Sequence, residues 1–63
     1  MKGDYKMNKK LAEIYQDGVR FSLWRREGEG YVIYEDGNGT HHITAPNEEI
    51  AQGYFEDYVR SMR

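Results

Sequence analysis

Glycine-containing turn signals interrupt the middle of the chain at short intervals and constrain its fold more than any other feature. Asp17-Gly18 and Asn38-Gly39 are dipeptides that readily adopt the positive φ angles of β-hairpin turns. Between them, Glu27-Gly28-Glu29-Gly30 is a glycine-punctuated loop of similar size. Strands joined by loops this short must run antiparallel, so the pattern predicts a meander of hairpins.

The segments between these turns have the composition of β-strands. Val19 to Arg26, Tyr31 to Glu35 and Thr40 to Thr44 are rich in β-branched and aromatic residues. Segment 10–16 is ambiguous, because its pattern fits a strand that enters the first turn and also a short helix capped by Gly18. We favour the strand, since it gives a four-stranded sheet that is large enough to cover a helix.

The C-terminal segment has the periodicity of an amphipathic helix. Its apolar stripe consists of Ile50, Ala51, Tyr54, Phe55, Tyr58, Val59 and Met62. Thr44 or Asn47 can cap the first turn, and Glu48 and Glu49 suit the positive end of the helix dipole. Gly53 is the exception, because glycine costs about 1 kcal/mol relative to alanine inside a helix. It either permits a close backbone approach or is simply tolerated.

The predicted fold is therefore α+β. It is a four-stranded antiparallel meander sheet with one C-terminal helix packed on one face (ββββα), or αβββα if segment 10–16 is helical. We expect residues 10–63 to form one small domain and residues 1–9 to form a basic, flexible N-terminal arm. A domain this small buries only about 60% of its unfolded surface. Since the chain has no cysteine, it must rely on packing or on oligomerisation for stability.

Alternation along the strands assigns side chains to the two faces of the sheet. With a two-residue loop in each hairpin, Ala12 pairs with Leu23, and Leu23 pairs with Tyr34. The predicted helix-facing side then holds Ala12, Ile14, Val19, Phe21, Leu23, Val32, Tyr34 and Ile43. This set forms a coherent apolar core beneath the helix stripe.

The opposite face has no second helix to cover it, and it is the predicted partner-binding surface. Exposed apolar patches usually mark interaction sites, and aromatic residues and arginines are enriched in interfaces. The predicted partner-binding residues are Trp24, Tyr31, Tyr15, Arg20, Arg26, Ile33 and His42, with Leu11 adding apolar area. In the alternative interpretation, Trp24 and Tyr31 only stack across strands and stiffen the sheet.

The sequence contains no pattern that predicts catalysis or metal binding. Ser22 and Ser61 have no nucleophile motif around them. His41 and His42 are adjacent in a strand and point to opposite faces, so they cannot share a metal ion. Asp36 could begin a calcium loop, but such a loop requires glycine at its sixth position and glutamate at its twelfth. Here those positions hold His41 and Asn47. We therefore expect no enzymatic activity, no cofactor and no bound metal.

Charge is divided unequally along the chain. Residues 1–10 hold four lysines against one aspartate, a balance of +3, whereas residues 11–63 hold five arginines against ten carboxylates, a balance of −5. An acidic body repels polyanions and disfavours binding of nucleic acid. The absence of cysteine, of a secretory signal and of a long apolar run predicts a cytoplasmic protein with no membrane partner.

Three functions fit these features. The first is a non-enzymatic interaction or regulatory module that binds a protein, or a second copy in a homodimer, through the uncovered sheet face. The alternative is a nucleic-acid-binding domain that contacts bases through the same aromatic residues and arginines. A lower-ranked alternative is an acidic inhibitor of a nucleic-acid enzyme, of the type that phages encode, which would use the acidic face of the helix.

Overall fold

The computed structural model describes residues 8–62 and confirms the predicted order of elements. Four strands precede one helix: β1 (Lys9–Gln16), β2 (Val19–Arg26), β3 (Gly30–Glu35), β4 (Asn38–Ile43) and α1 (Glu48–Ser61). Adjacent strands pair antiparallel in the order β1-β2-β3-β4. The fold is α+β with the ββββα order, and segment 10–16 is part of a strand.

The predicted N-terminal arm can be compared with the structure only at its end. Residues 1–7 lie outside the described residues, and Lys9 already belongs to β1. Within residues 8–62, no helix is both long enough and apolar enough to cross a membrane.

The β1–β2 hairpin has the predicted register, with Ala12 opposite Leu23. Its turn places Asp17 and Gly18 at φ angles of 53° and 80°, the two positive values of a type I′ turn. A β-bulge beside Ala12 leaves Leu11 without a cross-strand partner. Leu11 packs against the core rather than on the uncovered face, which corrects its predicted position.

The β2–β3 hairpin is shifted by one residue from the predicted register. Leu23 pairs with Ile33 and not with Tyr34. Because side chains alternate along a strand, this shift exchanges the two faces of β3. Tyr31 and Ile33, which were predicted for the partner-binding face, therefore lie on the helix side, and Val32 and Tyr34 lie on the opposite side.

The loop between β2 and β3 explains this shift. It holds three residues, 27–29, and the N–H of Glu29 donates a 3.0 Å hydrogen bond to the carbonyl oxygen of Arg26. Gly28 and Gly30 have φ angles of 83° and 78°, so both glycines adopt conformations that other residues rarely take. The predicted two-residue turn used only one of these glycines.

The β3–β4 hairpin turns at Asp36-Gly37, and not at the Asn38-Gly39 dipeptide that the sequence predicts. The φ angles of Asp36 and Gly37 are 51° and 90°, again those of a type I′ turn. Two hydrogen bonds hold Asp36 against β2: its N–H donates to the Arg20 carbonyl at 2.8 Å, and its Oδ1 accepts from the Arg20 N–H at 3.1 Å. Gly39 lies within β4 opposite Tyr34 and does not form the turn.

Helix α1 begins after Asn47, which is one of the two N-cap residues that the sequence predicts. The side-chain oxygen of Asn47 accepts a 2.9 Å hydrogen bond from the N–H of Ile50. The main core consists of Phe21, Leu23, Ile33, Ala51, Phe55 and Val59. Ile50, Tyr54 and Met62 belong to the predicted stripe but are 39%, 49% and 45% exposed. They remain exposed because the helix packs mainly over β1 and β2 rather than over the whole sheet.

Candidate functional site

The sheet face opposite α1 is not covered by any described element, and we refer to it as the open face. Cross-strand pairing places alternate residues of all four strands on it. The open face consists of Lys10, Glu13, Tyr15, Arg20, Ser22, Trp24, Arg26, Val32, Tyr34 and His42.

Trp24 and Tyr34 form the aromatic centre of the open face. Their ring centroids are 6.3 Å apart with an interplanar angle of 68°, an edge-to-face arrangement. The indole Nε1–H donates a 3.2 Å hydrogen bond to Ser22 Oγ. Val32, opposite Trp24, is only 2% exposed although the helix is on the other side. The open face therefore has a small apolar cluster of its own, in which Tyr34 takes the cross-strand role expected of Tyr31.

Arg26 extends this cluster towards the β2–β3 loop. Its guanidinium carbon lies 6.0 Å from the centroid of the Tyr34 ring, at the outer limit of a cation–π contact, and its Nη1 donates to the Tyr34 hydroxyl. Its Nε is buried and has no hydrogen-bond partner among the described residues. No carboxylate among the described residues forms an ion pair with Arg26. The guanidinium is thus held in place, and no carboxylate of residues 8–62 neutralises its charge.

Lys10, Glu13 and Arg20 form the polar side of the open face. Lys10 Nζ lies 2.8 Å from Glu13 Oε1, and Arg20 Nε lies 3.9 Å from Glu13 Oε2. The hydrogen bond from Lys10, helped by the charges of Lys10 and Arg20, lowers the pKa of Glu13. Two cations therefore share one carboxylate, and positive charge is left in excess.

These groups surround a concavity of about 400 Å³ on the open face. It is lined by Asn8, Lys10, Glu13, Arg20, Ser22, Trp24, Arg26, Tyr34 and Gly37. Three cations and one carboxylate give this lining a net charge of +2, whereas the whole chain has a net charge of −2. The volume is within the range of clefts that bind ligands or partner side chains.

The structure brings together five of the seven predicted partner-binding residues: Trp24, Tyr15, Arg20, Arg26 and His42. Tyr15 is 70% exposed at the rim, and His42 lies on β4 with its Nε2 3.7 Å from a Glu29 carboxylate oxygen. Tyr31 and Ile33 lie elsewhere. Ile33 is fully buried at 0% exposure, and Tyr31 packs against the same core.

Sequence reasoning missed Tyr34 and Lys10. Tyr34 was assigned to the core because a two-residue loop was assumed, although two glycines separated by one residue can also close a three-residue loop. Lys10 was not assigned to either face, and uninterrupted alternation in β1 would put it on the helix side together with Ala12. The bulge at Leu11 moves Lys10 to the open face, and no residue pattern in β1 indicates that bulge.

A second polar cluster lies on the helix side. The Tyr58 hydroxyl donates a 2.7 Å hydrogen bond to Glu35, and the Tyr58 ring stacks on His41 with centroids 4.9 Å apart. The hydrogen bond to Glu35, together with burial, raises the pKa of Tyr58. His41 and His42 pair with neighbouring residues of β3 and so point to opposite faces, as predicted. Among the described residues, no group of three or more histidines and carboxylates could hold a metal ion.

No protein-family model, no curated protein and no solved structure matches this chain.

Proposed function

We propose that this protein is a small non-enzymatic module that binds another protein through the open face. The observation that carries the proposal is the concavity of about 400 Å³, in which Trp24, Tyr34 and Arg26 pack against one another. Tryptophan, tyrosine and arginine are the residues that most often dominate the binding energy of protein interfaces. Because these side chains already hold one another in place, they lose little conformational freedom on binding.

A separate protein suits the open face better than a second copy does. A two-fold homodimer places the same surface on both sides of the interface. Each copy would then bring a lining with a net charge of +2 against an identical lining. Like charges facing each other oppose association, so a partner of opposite charge is favoured.

Single-stranded nucleic acid is the second candidate, because cations and aromatic rings also attract it. The edge-to-face contact between Trp24 and Tyr34 uses one ring face and leaves less aromatic surface for base stacking. Carboxylates also border the sheet at both ends, since Glu29 lies in the β2–β3 loop and Asp36 in the β3–β4 turn. A polyanion longer than the concavity would meet this negative charge, which ranks nucleic acid below a protein partner.

Site-specific photo-crosslinking tests the proposed function. A benzoylphenylalanine at the position of Tyr15, at the rim of the open face, should form adducts with the partner in cells that make this protein. Trp24→Ala should abolish those adducts, since truncating a central interface aromatic costs about 2 kcal/mol or more. The matched control is the same crosslinker at Tyr54, an exposed aromatic on the helix.

Each outcome distinguishes between the candidate surfaces. Adducts that form at position 15 and depend on Trp24 support the open face, and adducts between copies of this chain identify a homodimer. Adducts that form only at position 54 place the partner on the acidic helix and contradict the proposal. Arg20→Glu is a second variant that should reduce the adducts at position 15, because it reverses a charge of the open face. The Arg20 side chain is 48% exposed and lies 3.9 Å from Glu13, so the fold should tolerate the substitution. Circular dichroism verifies that each variant is folded.

A further inference from the structure

We propose that the partner presents to the open face an extended acidic peptide segment with an apolar residue between its carboxylates. This inference rests on the proposed function and adds the chemistry of the partner. Charge complementarity and the layout of the concavity along β2 carry it.

Two of the three cations of the open face, Arg20 and Arg26, lie towards opposite ends of β2. Arg20 and Arg26 lie six residues apart on the same face of one strand, which corresponds to about 20 Å of extended chain. Trp24 lies between them, and Lys10 is opposite Trp24 on β1. The concavity therefore offers positive charge at both ends and aromatic surface in the middle.

Within the described residues, Arg26 forms no ion pair, and Arg20 shares the Glu13 carboxylate with Lys10. Glu13 lies 3.9 Å from Arg20 and already accepts a 2.8 Å hydrogen bond from Lys10. Arg26 donates to a neutral phenol, and its buried Nε has no partner. Carboxylates of another chain would neutralise the remaining positive charge through charge-assisted hydrogen bonds, for which the planar guanidinium is well suited.

The acidic net charge of the protein does not oppose such a segment. The carboxylates of α1 lie on the other side of the sheet, and charges at physiological ionic strength are screened over about 8 Å. Glu29 and Asp36, at the two ends of the sheet, are not part of the lining, so a segment no longer than the concavity contacts mainly the positively charged lining.

A peptide titration tests this inference, followed by fluorescence and by amide chemical shifts. Trp24 is the only tryptophan of the chain, so its emission reports on the open face directly. The probe is a peptide of about eight residues, long enough to span the concavity in extended form, with glutamates at both ends and leucines at its centre. The same peptide with glutamines in place of glutamates is the neutral control, and an oligothymidylate of equal charge is the nucleic-acid comparison.

We expect the acidic peptide to bind at least about tenfold more tightly than its neutral control, and to weaken as salt is added. Arg20→Gln and Arg26→Gln should each weaken its binding by about five- to tenfold, as expected for loss of one charge-assisted contact. Arg25→Gln is the matched control and should leave the affinity unchanged. It is the same substitution on the same strand, but the Arg25 side chain lies on the helix side, 4.0 Å from Glu48.

Several results would overturn the inference. These are absence of binding by the acidic peptide, equal binding of the neutral peptide, or a loss of affinity with Arg25→Gln as large as that with Arg20→Gln. In each case, the crosslinking experiment would still test the proposed function independently. Tighter, Trp24-dependent binding of the oligothymidylate would identify nucleic acid as the ligand class instead. Arg20→Gln keeps the test decisive if Arg26→Gln disturbs the packing of Tyr34.

Discussion

Two glycines illustrate how differently the same residue is used at the scale of single positions. At Gly39 in β4, an added Cβ would lie 3.3 Å from Tyr34 Cε2 and 3.5 Å from Val32 Cγ1. The missing side chain therefore leaves room for the Tyr34 ring on the open face. At Gly53 in α1, an added Cβ would meet no described atom within 4 Å, apart from its chain neighbours and the backbone of its own helix. The close backbone approach considered for Gly53 is therefore not made by any described residue.

Gly53→Ala should stabilise the protein. The position is exposed and helical, and alanine is favoured over glycine there by about 1 kcal/mol because glycine loses more backbone freedom on folding. Urea unfolding followed by circular dichroism measures this change. An unchanged or lower free energy of unfolding would contradict this prediction and show that Gly53 has a role that its described contacts do not explain.

The hydrogen bond of Tyr58 predicts a loss of stability at alkaline pH. Its acceptor Glu35, together with burial, raises the pKa of Tyr58. A raised pKa in the folded state means that the contribution is fully present below the unfolded pKa of about 10 and is lost as the pH rises through the folded pKa. The stability difference between wild type and Tyr58→Phe should therefore shrink above about pH 10. Urea unfolding at a series of pH values measures it, and a constant difference would contradict the expected linkage.

At the scale of elements, predictability depended on whether the turn chemistry fixed the loop length. Asp17-Gly18 permits a two-residue type I′ turn, so the β1–β2 register followed from the sequence. Glycines at positions 28 and 30 are compatible with loops of two or three residues, and one extra loop residue reverses the faces of β3. The strands, the helix and its cap were therefore predictable, whereas the composition of the open face was only partly so.

Substitution of Ile33 tests the β3 register. Ile33 is fully buried against the helix, so Ile33→Ala should lower the free energy of unfolding by about 2–5 kcal/mol. Tyr15→Ala is the control, because Tyr15 is 70% exposed and its truncation should change stability by less than about 0.5 kcal/mol. Denaturant titration measures both variants. A small effect of Ile33→Ala would instead support the predicted register, in which Ile33 faces outwards.

At the scale of the whole molecule, charge is separated between the two sides of the sheet. The concavity of the open face has a net charge of +2, while α1 carries Glu48 and Glu49 in its first turn and Glu56 and Asp57 further along. The sequence indicated a basic arm followed by an acidic body, a division along the chain rather than through space. Lys10 shows why the two differ, since a bulge in β1 brings this residue onto the open face.

The position of the Trp24 indole is the premise on which the site and both proposals depend. Two-dimensional NMR of the wild-type protein measures it through cross-peaks between protons in close contact. The structure predicts cross-peaks from the indole to the Tyr34 ring, and none to Phe55 or Val59 of the helix. Cross-peaks from the indole to Phe55 or Val59 would place Trp24 in the main core and contradict the open face as a binding surface.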